Sequence, residues 1–307
     1  MRSMAVRAEA NLDGRQGPAS RQDLRDSHPP SRRAMYLQRK FVSDTYTFER
    51  GTVPLLISIP HLGTMIPEAQ RATMTDIGRQ CEDADWHLDT LYSFARGMGA
   101  SVLAARYSRY VVDLNRPPDD GNLYPGQTAT GLFPRHTFRG EPLYLDDKPL
   151  DEAEKALRRK TYWEPYHAKL REELDRLKAL HGGVLLWEAH SIASVLPRLF
   201  EGKLPDLNIG TAKGNACAPE LLAAVEDSLR DCPYTWVSNG RFTGGYITRH
   251  FGAPAQNIHA IQLEMCQSTY MNESAPYNYL PDTASRIIPV VEAMMRAAFS
   301  RLEWRQT

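Results

Sequence analysis

Several features that mark whole classes of protein are missing from this sequence. Its four cysteines, Cys81, Cys217, Cys232 and Cys266, form no C-x-x-C pair, which excludes a thiolate zinc site of the structural kind. Four thiols in 307 residues make no disulfide framework either, and they read as reduced side chains of a cytosolic protein. No apolar run approaches the ~20 residues that a membrane span requires. The 37 Lys and Arg residues are balanced by 37 Asp and Glu, so bulk electrostatics hold the chain neither to nucleic acid nor to an anionic membrane. There is no internal repeat and no G-x-S-x-G elbow, and Ser191 lacks flanking glycines, which argues against a serine hydrolase. What these absences leave is a small substrate read by a few local residues.

Residues 1–45 also lack something: an aliphatic cluster. Arg2, Arg7, Arg15, Arg21, Arg25, Arg32, Arg33 and Arg39 dominate the segment. It has too little apolar surface to offset its ordering entropy and is expected to be a disordered extension. The acidic Glu9, Asp13, Asp23 and Asp26 speak against a transit peptide, and Met35 would serve as a translation start. The remainder, 46–307, contains no linker and is expected to be one domain.

From about residue 52, short apolar runs alternate with amphipathic stretches. Val53 to Ile59, Ser101 to Ala105, Tyr110 to Leu114, Val184 to Trp187, Leu207 to Ile209, Thr235 to Val237 and Ala260 to Met265 read as strands. Runs this apolar belong to central strands covered by helices. Helices are expected over 83–98, where Leu88, Leu91, Tyr92 and Ala95 share a face, over 151–180 with Pro165 breaking or kinking it, over 219–230 and over 285–303. This alternation predicts an α/β three-layer sandwich with a mixed, mostly parallel central sheet and helices on both faces.

In such folds ligands bind beyond the carboxyl ends of the strands, and chemistry gathers at four of those ends. One strand runs into Pro60-His61, another into Asp113-Leu114-Asn115-Arg116, a third into Glu188-Ala189-His190-Ser191, and the last carries Gln262-Leu263-Glu264. Asp85 sits at the start of the helix expected over 83–98, where a carboxylate serves either the helix dipole or a metal. With His61 and His190 present, the metal reading prevails: two imidazoles, a carboxylate and an open position are the recurring catalytic zinc set.

These residues resemble a family. His61 in Ser58-Ile59-Pro60-His61, the run from Arg109 to Arg116, His190-Ser191, Gly244-Gly245 and Gln262-Leu263-Glu264 followed by Tyr270-Met271 look like the N-formylglutamate amidohydrolases. The Asp85-Trp86-His87 and Leu132-Phe133-Pro134 stretches look like the deformylase branch of histidine breakdown. The resemblance spans roughly residues 50–300. It implies a fold similar to the zinc carboxypeptidases, one Zn2+ per chain at the strand ends, and a small acidic N-acyl amino acid as substrate. Carboxypeptidase-like enzymes take a zinc-binding acid from just after the first histidine. Here Leu62-Gly63-Thr64 offers none, so Asp85 fills that place, with Glu188 and His87 as substitutes.

Glu264, at the end of a buried strand, is expected to be the general base and acid, its pKa raised by desolvation. Glu188 competes for that task or orients a ligand histidine. Asn115 and Arg116 resemble the pair with which carboxypeptidase-like sites grip a carboxylate, and guanidinium suits a two-pronged grip. Arg109 and Arg241 are further candidates, Asp113 orients one of the arginines, and Gly245 would let the backbone approach a ligand closely. The expected reaction is hydrolysis of N-formyl-L-glutamate. The alternatives are a related zinc N-acyl amino acid deacylase or carboxypeptidase, and a non-catalytic metal or amino-acid binding protein.

Overall fold

The computed structural model describes residues 40–305, apart from 124, 125, 127, 147 and 148. Most of the expected extension, residues 1–39, therefore lies outside the described residues. Among the described residues, eight strands form one sheet: β1 (Lys40–Val42), β2 (Tyr46–Glu49), β3 (Leu55–Ile59), β4 (Ser101–Ala105), β5 (Val184–Ile192), β6 (Leu207–Gly210), β7 (Trp236–Ser238) and β8 (Ile258–Cys266). Their order is β1-β2-β4-β3-β5-β8-β6-β7. Four pairings are parallel and three antiparallel, the mixed, mostly parallel sheet expected. The helices are α1 (Glu68–Arg71), α2 (Asp76–Gln80), α3 (Leu88–Leu91), α4 (Glu152–Arg158), α5 (Glu164–His181), α6 (Pro219–Ser228), α7 (Tyr246–Phe251) and α8 (Pro281–Ser300).

Side chains alternate across a strand, and that alternation builds two cores. Leu55, Ile57 and Ile59 of β3, Leu185 and Trp187 of β5, and Ile261 and Leu263 of β8 pack with α3, α6 and α8 on one face. Leu56, Leu186, Val184, Ile258 and Ala260 pack on the other with α5 and α7, through Tyr166, Leu170, Leu174, Ile247 and Phe251. On this second face the two longest strands change character along their length. β5 runs Val184, Leu186, Glu188, His190, and β8 runs Ile258, Ala260, Gln262, Glu264. The sheet is thus apolar where α5 covers it and polar towards the carboxyl ends.

Three expectations need correction. Tyr110 to Leu114 is no strand but a buried turn. Its backbone is satisfied outside any strand ladder, Val111 N–H donating to the Ser108 carbonyl and Asp113 N–H to that of Leu132. It is apolar because it is packed inside, Val112 and Leu114 sharing a core with Tyr166 and Leu170 of α5, and burial alone does not distinguish such a turn from a strand. Residues 83–98 are not one helix: turns run to His87, whose φ of 62° is left-handed, and only then does α3 begin, followed by a 3₁₀ turn over Tyr92–Arg96. The apolar face read there is real, since Leu88, Leu91, Tyr92 and Ala95 are all buried. Asp85 consequently sits on a loop, not on a helix. Finally, β1 lies inside the stretch expected to be an extension, and with β2 it adds an antiparallel edge that the sequence reading missed.

Elsewhere the patterns hold. The 151–180 stretch is interrupted as Pro165 demands, by a π turn at Arg159–Trp163 directly before α5. Pro219 opens α6 in its first turn. No described helix is long and apolar enough to cross a membrane.

Candidate metal centre

His61 follows β3, His190 lies near the end of β5, and Asp85 comes from the loop before α3. A backbone bond ties the loop to the strand end: Asp85 N–H donates to the His61 carbonyl at 2.9 Å. The three side chains are buried, at 2%, 1% and 2% exposure for His61, Asp85 and His190. Asp85 Oδ2 is 3.0 Å from His190 Nδ1 and 3.7 Å from His61 Nδ1, and the two rings are 4.9 Å apart. One donor atom from each residue falls within a 4.8 Å cluster.

The donor set fits a metal. His61 Nδ1 and Asp85 Oδ1 are buried and have no hydrogen-bond partner, which costs free energy unless a ligand engages them. Burial would push Asp85 up, but the hydrogen bond from His190 and the nearby His61 ring outweigh it and hold the carboxyl at about 2. It is therefore ionised, as a ligand carboxylate must be. Two imidazoles and one carboxylate with an open side make the set that binds catalytic zinc.

A second group of residues holds this cluster in place. Asp113 Oδ1 accepts from His61 Nε2 at 2.8 Å and from the Asn115 N–H at 2.9 Å. Its Oδ2 accepts from Arg109 Nη2 at 2.6 Å. Burial opposes its charge, yet Arg109, His61 and Arg116 together keep the carboxyl well below the usual range. Asp113 thus orients an arginine, as expected, and also the His61 ring, which the sequence reading missed. On His190, Nε2 lies 3.0 Å from Asn115 Nδ2 and 3.2 Å from Glu188 Oε1. Glu188 is fully buried, and burial raises its pKa.

Glu264 is the register partner of His190 across β5 and β8. Burial, reinforced by the nearby Asp85 charge and opposed by His190, raises its carboxyl to about 7. It opens on a pocket that is also lined by His61, His190, Asn115, Arg109, Arg116 and Arg241, with Phe138 and Phe242. The Arg109 guanidinium lies over the Phe138 ring, 4.6 Å from its centroid. Arg116 donates to the Thr130 carbonyl and hydroxyl and to the Asn115 carbonyl. Arg241 donates to the carbonyls of Leu199 and Thr128.

Most of the expected site residues therefore meet at one pocket, and four do not line it, one of them Asp85, which reaches the cluster from behind the two histidines that do. Glu188 lies behind His190. Gly245 donates its N–H to Gln262 Oε1 at 2.8 Å; a Cβ there would come 2.3 Å from Asn115 Nδ2. Its missing side chain makes room for Asn115, not for a ligand. His87 is engaged elsewhere, donating from Nε2 to the Tyr277 carbonyl at 2.7 Å. Phe138 carried no signal in the sequence, because its place over Arg109 depends on a loop whose N–H is held by Asp83.

The N-formylglutamate amidohydrolase family model matches residues 53–271. An N-formylglutamate deformylase of Pseudomonas putida is 48% identical over 252 residues, covering 82% of this chain and 94% of that protein. One of Pseudomonas aeruginosa is 48% identical over 264 residues, 86% of this chain and 98% of that protein. The crystal structure of an N-formylglutamate amidohydrolase from Ralstonia eutropha superposes with a TM-score of 0.71 at 27% identity, over 83% of this chain and 97% of that one. By its motifs, its fold and these relatives, this chain belongs to the N-formylglutamate amidohydrolase family, and it is a hydrolase.

Proposed function

We propose that this protein is a zinc-dependent deformylase of the cytosol that hydrolyses N-formyl-L-glutamate to L-glutamate and formate, in a histidine degradation route. The carrying observation is the convergence, at one pocket, of the two histidines of a buried His–Asp–His donor set, a carboxyl held near neutrality and three guanidinium groups. The names of the relatives supply the substrate class.

His61, Asp85 and His190 would hold the zinc, which supplies a water of lowered pKa and polarises the formyl carbonyl. Glu264 takes a proton from the attacking water and returns it to the departing amine nitrogen; a carboxyl near 7 suits both halves of that transfer. Water contributes hydroxyl to the formyl carbon and hydrogen to nitrogen as the C–N bond breaks, leaving formate and glutamate. Arg116 and Arg241 stand at the pocket wall, suited to the two substrate carboxylates, since a planar guanidinium donates two parallel hydrogen bonds to a carboxylate. Arg109, tied to Asp113, completes the cationic lining.

Metal analysis of the purified protein, alongside hydrolysis of N-formyl, N-acetyl and peptide substrates, tests this reading. Near one equivalent of zinc and preferential turnover of N-formylglutamate are expected. Preferential hydrolysis of an N-acetyl amino acid or a C-terminal peptide bond would replace it with a deacylase or a carboxypeptidase. Zinc binding without any turnover would leave a binding protein.

A further inference from the structure

We infer that Phe138 and Ile192 set the acyl specificity of the site: together they wall it off from a second cavity, so that the pocket takes a formyl group and refuses a longer acyl chain. The inference rests on the deformylase reading above and extends it from the substrate's carboxylates to its other end.

Two cavities lie side by side here, and among the described residues Phe138 and Ile192 are the ones that line both. The first is the pocket that holds His61, His190 and Glu264. The second is lined by Glu82, Asp83, Glu273 and Arg139. Arg116 and Arg241 belong to the first cavity and not to the second. With the substrate carboxylates held on those arginines and the amide at the histidines, the acyl substituent is the end left to meet Phe138 and Ile192.

The wall is held from several sides. Ile192 lies two residues past His190 on β5, so its side chain stands on the same face of the strand. It shares a small apolar cluster with Phe138, Leu196 and Leu204, and Phe138 and Ile192 are both buried. The backbone around Phe138 is pinned: its N–H donates to Asp83 Oδ2 at 2.8 Å, and the Thr137 carbonyl accepts from Arg198 Nη1 at 3.1 Å. The Arg109 guanidinium, fixed on Asp113, lies over the Phe138 ring. A ring packed between a cation and an aliphatic cluster has little room to yield, and a longer acyl chain is refused by overlap. Beyond the wall stand three carboxylates against the single guanidinium of Arg139. An opened wall would therefore admit a neutral or cationic chain and disfavour an anionic one.

The test compares kcat/KM for N-formyl-, N-acetyl-, N-glycyl- and N-succinyl-glutamate in the wild type, Phe138→Ala, Phe138→Leu and Ile192→Ala. The hydrolysis is the same for each: water gives hydroxyl to the acyl carbon and hydrogen to the nitrogen, and the longer acid leaves in place of formate. Phe138→Ala removes the ring but keeps the backbone bond to Asp83. In both alanine variants the preference for formyl over acetyl should fall about 10- to 200-fold, the worth of one carbon in a fitted pocket. Phe138→Leu keeps an apolar side chain in the cluster and should show a smaller fall in the same direction. The glycyl compound, whose acyl end is an ammonium, should gain at least as much as the acetyl one, and the succinyl compound least. A merely structural role would lower all four rates alike. An unchanged ratio of formyl to acetyl in the variants that fold would overturn the inference, and so would an equal gain for the succinyl compound. A wild type that leaves N-formylglutamate intact would instead overturn the deformylase reading, and the wild-type rates alone tell the two failures apart.

Discussion

His190 and Glu264 are register partners on adjacent parallel strands, so the sheet sets a proposed metal ligand beside the proposed base without help from any loop. Replacing Glu264 by glutamine should therefore disturb neither the fold nor the donor cluster. Zinc content should stay near one equivalent while turnover falls ~10²–10⁴-fold, the usual worth of a positioned general base. Steady-state kinetics with metal analysis on the same preparation checks this, and loss of zinc from Glu264→Gln would show that the carboxylate roles are exchanged with Asp85.

Asp85 reaches the site from a loop pinned by one backbone bond to His61, and its carboxylate is the hardest donor there. Asp85→Asn should lower zinc occupancy, because an amide is a poor zinc ligand. His61→Ala and His190→Ala should abolish zinc retention and turnover together. Dialysis against a chelator should inactivate the wild type, with activity restored by added zinc. A fully loaded, active His61→Ala variant would remove that residue from the ligand set.

Arg116 spends three donors on Thr130 and Asn115, which fixes the plane of its guanidinium at the pocket wall. Lysine keeps the charge and loses that plane. Arg116→Lys should raise KM for N-formylglutamate by roughly 10- to 100-fold, corresponding to about 1.5–3 kcal/mol for a hydrogen bond to a charged group, with zinc retained. An unchanged KM would move the substrate carboxylates to other residues.

At Gly245 the constraint is space. An alanine Cβ would meet the Asn115 side chain at 2.3 Å, well inside contact distance. Gly245→Ala should cost about 1–3 kcal/mol in stability, the usual range for overpacking, and should impair turnover by displacing Asn115. Urea denaturation of the variant measures the first effect. A variant as stable and active as the wild type would show that α7 shifts freely.

His167 offers a test of stability against pH away from the proposed metal site. Its ring stacks on Trp163 with centroids 3.7 Å apart, and its Nε2 donates to the Leu114 carbonyl at 2.9 Å. Burial lowers its pKa from 6.5 to about 3. The unfolded chain thus takes up a proton that the folded one refuses. The neutral ring's contribution is complete above about pH 6.5 and is lost as pH falls towards 3. Between about pH 8 and about pH 5 the loss should amount to about 2 kcal/mol, and His167→Phe should flatten that part of the profile. Parallel profiles for wild type and variant would show that the buried ring does not govern it.

The chain's local patterns carried the architecture because burial imposes them residue by residue. Continuous apolar runs at Leu55–Ile59 and Ser101–Ala105 marked β3 and β4. The spacing of Leu88, Leu91, Tyr92 and Ala95 marked a buried face, although the backbone beneath it proved to be a short helix and a 3₁₀ turn. The same reasoning failed at Tyr110 to Leu114, where a run as apolar as a strand is buried as a turn. Hydrophobicity reports that a segment is inside, not which backbone it adopts there.

For the site, the sequence by itself determined which residue types stand at the strand ends: His61, His190 and Glu264 were legible because a polar residue closing an apolar run has few other reasons to be there. Only the tertiary structure decided their geometry. That Asp85 comes from a loop bonded to the His61 backbone, that Asp113 serves both His61 and Arg109, and that Gly245 exists to admit Asn115 all depend on contacts between segments far apart in the chain. Such contacts are set by strand order and register. A hydrogen bond between residues 52 positions apart, as between His61 and Asp113, leaves no periodic trace in the sequence, because it is produced by the packing of the whole sheet and not by the local chain.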